Sequence, residues 1–187
     1  MTQKNDSYQL RKNQLRIVLW GVAVCLLVLP WVAMQFTSEV AWTLADFVIF
    51  GGLLAGTGIA FELVFQQGGD SDFRWGAGVA LVTAFVLVWV NGAVGIVGSE
   101  GNVVNLMFLG VVGIGATGAF VARFRPRGMA LAMIFTAVVQ ALVGGVVLVW
   151  GLGSSGGSWP FDVLFLTGFF VFLWLFSAWL FWRASKE

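Results

Sequence analysis

Two carboxylates bracket one apolar stretch of this chain, Asp46-FVIFGGLLAGTGIAF-Glu62, and acids set in lipid are the raw material of proton relays and cation sites. As a helix the stretch separates them by roughly 24 Å, so they cannot share a substrate as general acid and base. Asp46 follows Thr43 in a T-x-x-D spacing, in which the hydroxyl caps a helix and the acid reaches back to a free backbone N–H. Two readings of Asp46 stay open: this cap, or a cation or substrate contact at the outer mouth. Glu62 lies inside the apolar run, where an ionised carboxylate needs a partner. It is either one half of a structural ion pair with arginines of the cytoplasmic loops, or a functional acid in a proton or ion path. Asn91 and Gln140 are the deepest strongly polar side chains, and they either hydrogen-bond neighbouring helices or line a ligand path. Asn91-Gly92 beside Trp89 is a candidate small pocket. Asp162, with Glu39, Asp46 and Glu100, forms a set of outer acids that either concentrates cations or is left over from exclusion of basic residues on that side.

Much chemistry is excluded by composition. There is no histidine, and the single cysteine, Cys25, sits in an apolar stretch, so haem, copper and zinc sites lack their usual ligands and no intrachain disulfide can form. No nucleophile stands at a catalytic spacing from a base. Gly113, Gly115 and Gly118 spell G-x-G-x-x-G, but inside a membrane segment with no preceding strand the match is not a dinucleotide fingerprint. The reading is therefore of a protein that is not an enzyme, holds no cofactor or metal and does not bind nucleic acid.

The elements that place these residues are membrane helices. The chain is 59% apolar and 10% charged, with a mean hydropathy of +0.93, against about 25% charged in soluble domains. Apolar segments fall near 17–36, 45–66, 75–97, 104–122, 128–150 and 160–182, each about 20 residues, the length that spans a bilayer core. They are continuously apolar instead of alternating, which selects helices over a barrel. The expected fold is all-α, an integral membrane bundle of six transmembrane helices occupying 17–182, with polar tails at 1–16 and 183–187. All ten basic residues precede the first segment, follow the sixth, or lie in the second–third and fourth–fifth connections. By the positive-inside rule that side is the cytoplasm, so both termini are cytoplasmic.

Small residues indicate how the helices meet. Gly52, Gly56 and Ala60 recur every four residues, as do Gly115 and Ala119, with Ala122 continuing the second stripe. Such small-xxx-small patterns allow close backbone approach in lipid. Phe161, Phe165, Phe169, Phe172 and Phe176 form a stripe on the sixth segment suited to core packing or a lipid-facing surface. Pro30 is expected to kink the first helix, and the 151–158 stretch GLGSSGGS to form a loose outer loop.

The wording of Phe36-Thr-Ser-Glu-Val-Ala-Trp-Thr-Leu-Ala-Asp-Phe47 and of Arg123-Phe-Arg-Pro-Arg-Gly-Met129 resembles a group of small, uncharacterised multi-pass membrane proteins of proteobacteria. The resemblance covers most of the chain and implies an inner-membrane protein, with no particular activity. The chain is also similar in length and helix number to the S components of energy-coupling-factor vitamin transporters. It lacks the alanine-xxx-alanine contacts of their first helix, so that likeness is one of size.

The functional expectation is a non-catalytic accessory or structural subunit whose partners are the lipid bilayer and another membrane protein or a second copy. The alternative is a small permease or membrane-embedded binding protein for a small molecule or cation.

Overall fold

The computed structural model describes residues 2–37, 40–66, 70–99, 101–154 and 158–186, with the backbone alone for 2–12 and 15. Among them are six α-helices, each long and apolar enough to cross a membrane, and no strand. These are α1 (Thr2–Ala33), α2 (Leu44–Gln66), α3 (Ser71–Ala93), α4 (Leu106–Val121), α5 (Pro126–Val149) and α6 (Phe161–Ala184), with a 3-10 turn over Val103–Asn105 before α4.

Two boundaries differ from the hydropathy reading for clear reasons. The polar tail is helical from Thr2, because its Gln, Leu, Lys and Arg are good helix formers and no glycine or proline precedes Gly21. At the other extreme α3 stops at Ala93, although apolar residues run on to Val97. Gly95 takes φ +72°, outside helical space, and Ile96 and Val97 enter a buried loop instead of another helical turn. Pro30 falls in the last turn of α1, where the helix continues to Ala33 and the Pro30 carbonyl still accepts from Met34 N at 2.9 Å.

The chain divides into two compact units, Met1–Gln66 and Gln67–Glu187. The first is a hairpin of α1 and α2. Leu19, Trp20 and Leu27 of α1 lie against Gly58 and Gly51 of α2. Gly52 and Gly56 are exposed, and a Cβ added at either meets no atom of α1. The expected Gly52/Gly56/Ala60 stripe is thus not the face that closes the hairpin; Gly51 and Gly58, seven residues apart and so on one helix face, take that part.

The second unit is a ring of four helices in which α3 meets α4, α4 meets α5, α5 meets α6 and α6 returns to α3, the last two contacts being the most extensive. Consecutive helices run antiparallel, as short connections require. Glycines set the spacing. A Cβ on Gly115 would stand 3.3 Å from Thr136, on Gly118 3.0 Å from Ala132, and on Gly128 2.8 Å from Ala122. The α4 stripe is therefore Gly115, Gly118 and Ala122. Ala119, half-buried, is displaced from it by one residue because the crossing follows a three-residue step after Gly115. Leu87, Phe108, Val111, Val147, Phe170 and Phe181 fill the core with no exposed surface. The five stripe phenylalanines of α6 face outward, Phe161 and Phe165 being 75% and 72% exposed.

Candidate functional site

In the hairpin, Glu62 gathers two donors from α1. Its Oε1 accepts from Trp20 Nε1 at 2.7 Å and from Arg16 Nε at 3.0 Å. Arg16 and Trp20 are four residues apart on one face of α1, so one carboxylate reaches both. This cation, Arg16, lies within α1 at the start of its membrane span, where the sequence pointed to arginines of the cytoplasmic loops. Trp20 is the partner sequence reasoning missed. The Arg16 side chain is 53% exposed and that of Glu62 15%, so the acid is the more enclosed partner of the pair.

At the opposite end of α2, Asp46 makes the capping box that T-x-x-D implies. Its Oδ2 accepts from Thr43 N at 2.7 Å and from Thr43 Oγ1 at 2.8 Å, and Asp46 N lies 3.4 Å from Thr43 Oγ1. Trp42 closes over this turn, edge-on to Phe47 and Phe50 with ring centroids 5.3 Å away in each case. Asp162 belongs to the other unit, where its Oδ1 accepts from Val163 N at 2.8 Å. Each of these two acids is thus bonded within its own helix start. Glu39 and Glu100 lie outside the described residues.

The four-helix unit holds a second ion pair, missed because Asp72 was not singled out. Arg183 Nε stands 2.9 Å from Asp72 Oδ2, and the guanidinium lies 4.9 Å from the Trp179 ring centroid. Asp72 Oδ2 receives no directed hydrogen bond, so this contact is an attraction between charges and not a hydrogen bond. The available signal was the Asp-x-Asp at residues 70–72, polar residues at a helix start where the dipole favours acids.

Asn91 and Gln140 are both buried, 4% and 0% exposed, and neither amide has a hydrogen-bond partner. They do not form one site. Ser177 Oγ donates to the Gly76 carbonyl at 2.8 Å and Thr167 abuts Gly144, contacts that fix the registers of α3 and α5 on α6. On those registers Asn91 and Gln140 lie about nine residues apart in height, roughly 13 Å. Leu87 and Val147, both fully buried, occupy the intervening levels. Trp89 does not shape a pocket with Asn91 either. It is 40% exposed while Asn91 is buried, as two positions on a helix roughly 200° apart must be.

Asn105 closes the α3–α4 connection. Its Oδ1 accepts from Ile96 N at 3.0 Å and Val97 N at 2.9 Å, while Nδ2 donates to the Ser99 carbonyl at 2.7 Å. Gly95 makes room for this knot, since a Cβ there would lie 2.6 Å from Ser99 backbone and 2.8 Å from Asn105 Nδ2.

No cluster of metal-ligating side chains occurs among the described residues, and their buried polar side chains are neutral. The arrangement can hold helices in register and can hydrogen-bond a neutral guest. No protein-family model, curated protein or solved structure matches the chain.

Proposed function

We propose that the protein is a multi-pass subunit of the bacterial inner membrane, with both termini cytoplasmic, serving a membrane assembly in a non-catalytic accessory or structural role. One observation carries this reading: the two buried amides, Asn91 and Gln140, stand at different heights with the buried Leu87 and Val147 between them, so they do not frame one shared ligand path. Orientation rests on the ten basic residues: Lys4, Arg11, Lys12 and Arg16 in the N-terminal half of α1, Arg74, Arg123, Arg125 and Arg127 in or beside the α2–α3 and α4–α5 connections, and Arg183 and Lys186 at the end of α6 and after it. Support for a partner comes from α1, whose Val18, Val22, Val24, Val28 and Leu29 are exposed along an apolar helix. Photocrosslinkers at Val24 and Val28 in the native membrane test this. A defined protein adduct from these sites agrees with the reading, and lipid adducts alone oppose it.

The alternative, a small permease or membrane-embedded binding protein, draws on the same two amides, whose hydrogen-bonding capacity is unused within the protein. Solute uptake into proteoliposomes that Asn91→Ala and Gln140→Leu abolish would favour it.

A further inference from the structure

Four buried polar atoms without a hydrogen-bond partner belong to one stretch of the α5–α6 interface: Oε1 and Nε2 of Gln140, Oγ1 of Thr167 and Nε1 of Trp174. Their proximity follows from register. Thr167 stands against Gly144, its Oγ1 and Cγ2 each 2.5 Å from where a Gly144 Cβ would be. Gln140 lies one turn before Gly144 on the same face of α5, and Trp174 two turns after Thr167 on the same face of α6. Because the helices are antiparallel, the level of Gln140 falls between those of Thr167 and Trp174. Helical side chains lean toward their own N-terminus, so Gln140 leans toward Trp174 and Trp174 leans back toward Gln140.

The Thr167 hydroxyl gives an independent sign that the stretch is built for a guest. Thr57, Thr83, Thr117 and Thr136 each donate to the carbonyl four residues back, at 2.7–2.8 Å. Thr167 Oγ1 makes no such bond and is turned to α5, into the space that Gly144 leaves. The Gln140 amide and the Trp174 indole N–H lean toward one another without bonding and call for a bridging molecule, while the Thr167 hydroxyl, roughly 10 Å along α6 from Trp174, borders the stretch on the other side of Gln140.

The donor set defines that molecule. Trp174 only donates, Gln140 donates twice and accepts through Oε1, and Thr167 does either. The guest must therefore accept and donate. The buried polar residues of the unit, Thr83, Asn91, Asn105, Thr136, Gln140 and Ser177, are all neutral, so an ion held by Gln140 and Trp174 would stand unpaired. The geometry points to a buried water site in which Gln140 and Trp174 hold bound water as a bridge between α5 and α6.

The test uses the full chain in lipid nanodiscs with its tryptophan indoles labelled with nitrogen-15, the Trp174 signal being assigned by its loss in Trp174→Phe. The expected result is a cross-peak between the Trp174 indole proton and long-lived water that disappears in Gln140→Met. Absence of the cross-peak in the native protein overturns the site, since Gln140 would then bond Trp174 directly or remain dry. A cross-peak of full strength in Gln140→Met overturns it as well. Thermal unfolding provides a second readout: Gln140→Met lowers Tm if the amide is hydrated, whereas a higher Tm shows a dry amide and contradicts the proposal.

Discussion

The indole N–H of Trp20 donates to Glu62 Oε1 at 2.7 Å, which makes a tryptophan, together with Arg16, the means by which an acid inside an apolar helix is held. The two donors should differ in weight. Hydrogen bonds to a charged acceptor contribute about 1.5–3 kcal/mol, and Trp20→Phe should destabilise the hairpin by that order. Arg16 is half exposed at the end of the span, so Arg16→Gln should cost below about 1 kcal/mol. Unfolding of the purified protein in mixed micelles measures both, and the reverse ranking would show that the ion pair dominates.

Neighbouring glycines should respond differently to the same methyl group. At Gly144 a Cβ meets Thr167 at 2.5 Å, while at Gly145 nothing lies within 4 Å. Gly144→Ala should destabilise by about 1–3 kcal/mol through overpacking, and Gly145→Ala should be neutral or gain up to about 1 kcal/mol of helix propensity. Thr167→Ala should recover part of the Gly144→Ala loss in a double-mutant cycle.

In the hairpin, Gly58→Ala should weaken α1–α2 packing, since its Cβ would lie 3.3 Å from Leu19 and 3.4 Å from Trp20. Gly52→Ala and Gly56→Ala should leave that packing intact. Disulfide trapping between cysteines placed across α1 and α2 reads the difference. Equal losses at all three positions would restore the four-residue stripe as the hairpin's interface.

Asn105→Ala strands the Ile96 and Val97 amides, both on buried residues. Each unpaired group costs about 1–3 kcal/mol, so hydrogen exchange at these two amides should accelerate by at least about tenfold while that of mid-helix α5 amides stays slow.

For orientation, Cys25→Ala provides a background free of cysteine. Arg125→Cys should then react only with reagents reaching the cytoplasmic side, and Ser154→Cys with an impermeant maleimide applied from the periplasm. Opposite labelling would invert the assignment.

Hydropathy located each helix because a span must be about 20 apolar residues long whatever it packs against. It could not stop α3 at Ala93, since Ile96 and Val97 are as apolar in a buried loop as in a helix; the stop lies in Gly95 and in an Asn105 bond ten residues further on. The capping box at Asp46 was legible because both partners are local. The partners of Glu62 were not, because Trp20 and Arg16 lie more than forty residues away in the chain. Gly52 and Gly56 illustrate a further limit: spacing shows that a helix has a smooth face, but not which neighbour uses it.

The reading of a non-catalytic subunit is tested most directly by native mass spectrometry of the full chain extracted with its surrounding lipid. The account predicts the 20.2 kDa chain in fixed stoichiometry with a membrane protein of different sequence. A lone chain or a homo-oligomer, active by itself in solute uptake, would contradict it.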